Sequence, residues 1–327
     1  MFGIKIKRES VLAQGIAMYL PRAVLLLVFL FASINSYSNK LDQALFVLSK
    51  DTPDYKKVVN LITTDWKASK NYHYIIVIED QLAESDENLK TSDIIITLGT
   101  SAADRILSKK VTQPVINTLI TESAFNALAE KYYGDVSKAV ASGVNPIVLD
   151  QSFDRRLNLA RQLLKNMADV GVMLGPSVAK NRNLYIQSLA EKDLNPKLLL
   201  LDPDKNPIRQ LDPIVKDSDV FIPIAGSHVI NVTTAKWILQ LAYRYRIPVI
   251  GYSANYVAAG ALASVYSSPQ DVSRQTLELV ESLLSKGHKN QVHFPDYCTV
   301  KFNTTVAWHL NLTIPEALAK NTGRCNL

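Results

Sequence analysis

The sequence predicts an α/β protein built from two successive units, each a parallel sheet with helices on both faces. Three observations carry this. Short apolar runs alternate with amphipathic stretches throughout the chain after residue 40, the order that produces parallel strands joined by helical crossovers. The apolar runs are continuous rather than alternating, as strands covered on both faces require. Most of them end in Gly, Ser or Thr, residues that open helices and allow a ligand close to the backbone.

In the first half, "ALFVLS" leads into a polar-apolar run through Trp66, and "YHYIIVIED" into a charged segment. "DIIITLG" then leads into "SAADRILSKK", and "QPVINTLIT" into "ESAFNALAEKYYG". The rhythm restarts with "NPIVLDQSF" and the helix "DRRLNLARQLLKN". After it come "DVGVMLGPS" with "VAKNRNLYIQSLAEKDL", "PKLLLLDPD" with "PIRQLDPIVKD", "SDVFIPIAGS" with "NVTTAKWILQLAYRYR", and "IPVIGYSA". The 327 residues suit two units better than one very wide sheet. The first passage between units is expected near Gly143 to Gln151. Near the end, "SPQDVSRQTLELVESLLSKG" reads as a helix, with Ser268 as N-cap, Pro269 in its first turn and Gly287 past its end. "HFPDYCTVKFN" reads as a strand, "TTVAWHLNLT" as a short helix, and "IPEALAKN" as a further helix start.

Residues 1–38 read as a secretory leader. Lys5, Lys7, Arg8 and Arg22 precede the apolar run Ala23 to Ile34, which falls short of the ~20 residues of a spanning helix. Ser36 and Ser38 offer a cleavage site; an uncleaved anchor is the alternative. Without those residues the formal charge of +6 drops to near +3, too mild for a nucleic-acid binder, and no Lys/Arg run with interleaved aromatics appears. Cys298 and Cys325 could pair in an oxidising compartment, or stand as two free thiols. Their spacing fits no metal or redox motif. There is no Walker A sequence, dinucleotide fingerprint or nucleophile elbow, so no cofactor is expected.

Ligands of open α/β sheets bind beyond the carboxyl ends of the strands, which makes the strand ends the candidate site. They carry Ser49 and Thr52, Thr100 and Ser101, Thr121 and Ser123, Ser177, Ser227, and Tyr252 with Ser253. A helix N-terminus there has unpaired N–H groups and partial positive charge, so it suits a carboxylate; each hydroxyl could equally be a plain helix cap. Phe153 and Tyr252 could stack on an aromatic ligand or pack internally. A secreted enzyme with a cleft site is the competing class, with Asp51, Glu122, Asp150 and His228 as its acid–base candidates.

"SDIIITLGTSAADRIL", "IPVIGYSANYVAAGALASVYSSPQDVSRQTLELV" and "HFPDYCTVKFNTTVAWHLNLTIPEAL" together resemble the ABC-transporter substrate-binding proteins of the tryptophan/tyrosine-binding-like type. The resemblance implies two Rossmann-like lobes of type I periplasmic-binding-protein character, joined by a hinge of three crossovers. It implies a small ligand, an amino acid or small carboxylate, held by strand-end hydroxyls and backbone amides. Thr100 and Ser101 match the first-lobe hydroxyl pair, and Ser227 and Ser253 occupy second-lobe or hinge positions. The lobes would be 39–148 plus 253–286, and 149–252 plus 287–327. An ABC permease or a membrane sensor would be the partner, no nucleic acid would be bound, and the chain is expected to be a periplasmic monomer.

Overall fold

A computed structural model describes residues 43–69, 72–83, 87–224, 232–286, 291–319, 322–325 and 327. The expected leader and Ser227 lie outside them.

β1 (Gln43–Leu48) explains why the strand runs are apolar throughout. Phe46 faces one cluster with Ile94, Ile96 and Trp66, while Leu45 and Val47 face another with Ile95, Ala102 and Ile106. Neighbouring side chains on a strand point to opposite faces, and here both faces are covered. Each such side chain contributes about 1.5–3 kcal/mol by leaving water. β2 (His73–Ile78), β3 (Ile94–Leu98), β4 (Val115–Ile120) and β5 (Val144–Val148) complete a parallel sheet in the order β2-β1-β3-β4-β5. Its helices are α1 (Pro53–Ser69), α2 (Asn88–Thr91), α3 (Thr100–Leu107), α4 (Glu122–Tyr133) and α5 (Val136–Ala141).

The chain then passes to the second lobe through α6 (Phe153–Leu163). β6 (Asp169–Leu174), α7 (Arg182–Ala190), β7 (Asn195–Leu200), α8 (Pro207–Lys216), β8 (Val220–Pro223) and α9 (Val232–Tyr245) follow. The sheet order is β7-β6-β8, all parallel. β9 (Ile250–Gly251), α10 (Ala254–Ala258), β10 (Ala263–Tyr266), α11 (Pro269–Lys286), β11 (Tyr297–Phe302), α12 (Thr304–His309), α13 (Glu316–Ala319) and β12 (Thr322–Arg324) end the chain. A second sheet runs β12-β11-β10-β9, and a parallel bridge from Phe221 to Val249 joins it to β8. Cys298 on β11 and Cys325 just past β12 are disulfide-bonded, with Cα atoms 5.2 Å apart. No helix among the described residues is long and apolar enough to cross a membrane.

The expected first-lobe segment 253–286 divides between the lobes. β10 is hydrogen-bonded between β9 and β11, so it stays with the second lobe. Only α11 returns: Val272, Leu279, Val280 and Leu283 pack with Phe46, Ile96 and Ile116 of the first sheet. We therefore assign β1 to β5 with α11 to the first lobe, and the elements from α6 to β10 and from β11 onward to the second.

Three segments cross between lobes: β5 to α6, β10 to α11, and residues 291–296 on the way to β11. The third runs beside β5, where His293 N donates to Pro146 O at 2.8 Å and Val148 N donates to His293 O at 3.0 Å. Two side chains tie all three together. Gln151 Nε2 donates to Ser267 Oγ at 2.9 Å. Arg155 Nη1 donates to Gln151 Oε1 at 2.9 Å and to Pro295 O at 2.5 Å.

Candidate functional site

A cleft of about 720 Å³ opens between the lobes, within the range of small-molecule sites. Its floor comes from the crossings, with Leu149, Asp150, Gln151 and Phe294. The first-lobe wall is one side of α4 and the residue before it: Thr121, Glu122, Ser123, Asn126 and Glu130. The second-lobe wall brings Phe153 and Arg156 from α6, Tyr185 from α7, and Tyr252 and Ser253 beyond β9.

The walls are fixed by local rules. Thr121 is the N-cap of α4, and its Oγ1 accepts from Ala124 N at 3.2 Å. Asp150 Oδ2 accepts from Glu122 N at 2.6 Å, so this helix N-terminus already carries a carboxylate of the protein itself. Ser253 caps α10 by accepting from Tyr256 N at 3.2 Å. Phe153 packs edge-on against Tyr185, with ring centroids 5.1 Å apart, and Tyr252 packs on Tyr256 at 5.1 Å. Both rings, which could stack on a ligand or pack internally, thus have protein partners.

Arg156 is the group that reading the strand ends missed. It is 5% exposed, and its Nη1 donates to Pro223 O at 2.9 Å, which anchors α6 to the end of β8. Its Nε is buried and has no hydrogen-bond partner among the described residues. Burial pushes its pKa down, against the fields of Tyr185, Asp150 and Tyr252. Burial raises the Tyr185 hydroxyl; Arg156 lowers it, and Glu122 and Asp150 raise it further. Tyr185 thus sits where charges from both lobes meet. The signal was present in "SFDRR": Arg156 falls three residues after Phe153, on the same helix face.

Five predicted residues, Thr121, Ser123, Phe153, Tyr252 and Ser253, line the cleft. Ser49, Thr52, Thr100 and Ser101 are not part of its lining. Ser49 Oγ accepts from Ala102 N at 2.9 Å and so caps α3 from a neighbouring strand; Thr52 Oγ1 accepts from Tyr55 N at 3.4 Å. Thr100 and Ser101 are exposed on the first turn of α3. Ser177 belongs to the 3-10 turn Pro176–Asn181, which reaches the cleft through Val178 and Asn181. Of the acid–base candidates, Glu122 and Asp150 line the cleft, Asp51 is exposed in an ion pair with Lys56, and His228 lies outside the described residues.

Burial raises the Asp150 pKa, partly offset by the Glu122 N–H and by Arg156. A carboxyl whose folded pKa is raised destabilises the fold in its ionised form. That cost is absent below the unfolded pKa, grows as pH rises toward the folded value, and is constant above it. Asp150→Asn keeps an acceptor for the Glu122 N–H. Its Tm is expected to exceed that of the wild type at pH 7, with the gap closing on acidification through the ordinary carboxylate range. Thermal unfolding of both proteins between pH 4 and 8 checks this.

The sequence profile of the family described as ABC transporter substrate binding protein matches residues 47–325. The chain belongs to that family. No curated protein matches it. Among solved structures, this substrate-binding-family chain is similar to a conserved domain protein from Vibrio cholerae, at 19% identity and TM-score 0.56, covering 86% of this chain and 99% of that one. It is similar to an ABC domain from Streptococcus pneumonia in complex with L-Trp, at 15% identity and TM-score 0.56, covering 86% and 98%. A ligand-free, open substrate-binding protein with adhesive properties from Clostridium difficile aligns at 15% identity and TM-score 0.64, covering 84% and 97%. These identities speak for the fold, the type I periplasmic-binding-protein fold of two α/β lobes.

Proposed function

We propose that this protein is a periplasmic solute-binding protein that clamps a small organic ligand, an amino acid or small carboxylate, between its lobes for an ABC importer. Its work is binding and hinge closure rather than covalent chemistry. One observation carries the reading: a single cleft of about 720 Å³ takes its walls from both lobes and its floor from the crossings that join them. A guest touching both walls favours whichever lobe spacing makes both sets of contacts at once. The L-Trp held by the streptococcal relative supports a ligand of this size and class. The disulfide and the leader-like N-terminus support an oxidising, extracytoplasmic setting.

The test is a thermal-shift screen of free amino acids and small carboxylates on the purified protein. A true ligand present at 100-fold its Kd adds about 2.7 kcal/mol of stability, which appears as a concentration-dependent rise in Tm. No shift across the whole panel, together with turnover of a candidate substrate, would overturn the reading in favour of a secreted enzyme.

A further inference from the structure

We propose that the first lobe carries a second, peripheral binding surface: a basic hollow at the edge where its strands begin holds the phosphate headgroups of an anionic membrane surface. This surface lies on the edge opposite the cleft, and it stands whether or not the clamp reading holds.

Parallel strands share their edges. Gln43, His73, Ile94, Val115 and Val144 open β1 to β5 on one edge. α4, the first-lobe wall of the cleft, starts from the other. At the opening edge, a hollow of about 510 Å³ is lined by Lys90, Arg105, Lys109 and Lys110, and by no acidic residue among those described. Lys90 lies in α2, just before β3. Arg105 lies in the last turn of α3, and the two other lysines follow it. Gln113 Nε2 donates to Lys90 O at 3.4 Å and links the segment before β4 to α2. None of the four cations is ion-paired with a carboxylate among the described residues. Asp93, at the same edge, accepts from Gln43 N at 2.9 Å and is not part of the lining.

Helix capping does not account for these charges. Cations favour a helix C-terminus because carbonyls there are unpaired. At the end of α3 the carbonyls are already met. Asp104 O, Ile106 O and Leu107 O accept from the N–H groups of Ser108, Lys109 and Lys110, and Arg105 O accepts from Ser108 Oγ at 2.8 Å. Lys110 has φ 47°, a conformation that a helix end ordinarily gives to glycine. Arg105 is pinned by its Nη2, which donates to Leu82 O at 2.9 Å, while its Nε is buried without a partner. Four like charges around one hollow repel each other, and an anion relieves that repulsion. A phosphate group suits the set, since it takes both a guanidinium and the point charges of lysines.

A membrane is favoured over a soluble anion by what else meets this edge. β1 begins here, and Gln43 Nε2 donates to Thr91 Oγ1 at 3.2 Å, one residue from Lys90. The eight residues 35–42 separate the apolar run of the leader from β1, and they reach at most about 29 Å. A leader entering a bilayer would therefore hold this edge, rather than the cleft edge, toward it. Lys90 and Lys110 are exposed, and a cluster of basic residues beside a membrane-directed segment is the arrangement that attracts anionic lipid.

Vesicle flotation of the full chain tests this, reading the ratio of binding to phosphatidylglycerol-containing vesicles over binding to pure phosphatidylcholine. The wild type should favour phosphatidylglycerol strongly, and 0.5 M NaCl should abolish most of the preference. Lys90→Gln, Lys109→Gln and Lys110→Gln together should lower the ratio about 100-fold, at about fivefold per cation, and Lys90→Gln alone about fivefold. The cations of the leader are the same in every variant and cancel. Lys216→Gln, Lys236→Gln and Lys301→Gln together remove the same charge from the second lobe and should change the ratio little. If the first triple variant fails to fold, Lys90→Gln alone still decides. An undiminished ratio in Lys90→Gln, or an equal fall in the second-lobe variant, overturns the surface. Equal wild-type binding to both lipids overturns its electrostatic basis. Calorimetry with glycerol phosphate separates the sources: binding of this soluble ester that is lost in Lys90→Gln, with no preference for phosphatidylglycerol vesicles, overturns the membrane in favour of a free phosphate ester.

Discussion

Alanine in place of Gly99 is expected to destabilise the protein by about 3 kcal/mol, combining a non-glycine residue at positive φ with overpacking. Gly99 has φ +92°, and a Cβ there would stand 2.5 Å from Tyr55 Oη and 2.6 Å from Ser49 Oγ. The tyrosine tip could shift. Ser49 could not do so freely, because its Oγ holds the Ala102 N–H at the start of α3 and is also bonded to Tyr55. The substitution therefore strains the junction of β3 with α3 and loosens the cap that replaces a local one. Urea unfolding of Gly99→Ala should show a lower midpoint with an unchanged slope. Ligand affinity should change little, since Gly99 is not part of the cleft lining. An unchanged midpoint would mean that the Ser49 cap can move at no cost.

Loss of the Cys298–Cys325 disulfide should have a comparable effect, about 3 kcal/mol for a loop of this size. The bridge spans 27 residues and holds α12, α13 and β12 against β11. β12 pairs with β11 at only three positions, Tyr297 with Arg324, Cys298 with Gly323 and Thr299 with Thr322, so the bridge adds much of what fixes this terminal segment. Cys298→Ser with Cys325→Ser, or wild type under reductant, should unfold at lower urea than the oxidised protein. The double variant should be indifferent to reductant. Because β12 is the outer edge of its sheet, affinity in the cleft is expected to stay near the wild-type value. A fall in affinity as large as the fall in stability would show that the edge and the cleft are coupled.

The architecture was legible because its signals are local. "DIIITL" and "PIVL" carry apolar residues on both faces, and a strand buried on both faces reads that way in any α/β protein. The caps at Thr121, Ser253 and Asn303 likewise lie within three residues of the groups they satisfy. What could not be read is what distant segments do to each other. Nothing in "ALASVYSSPQD" marks that β10 stays with β9 while α11 crosses over, because that depends on pairing with β11 more than thirty residues on. The strand-end hydroxyls were ambiguous for a related reason. Ser49 and Thr121 share the same chemistry and the same position after a strand, yet one closes a neighbouring helix and the other faces a cleft. Arg156 sits in an ordinary amphipathic helix, and only the approach of Pro223 and Tyr252 from elsewhere in the chain turns it into a buried charge.

The Gln151–Arg155 tie has a mechanical consequence. Three crossing segments tied side by side behave as one ribbon, which bends across its thin dimension and resists being splayed or slid apart. A swing of the lobes about such a ribbon leaves Asp150 and Phe294 almost stationary, while the distant tips of α4 and α7 sweep through the largest arcs. In the clamp proposed above, a guest would rest on a fixed pedestal, and capture would change the separation of the jaws above it.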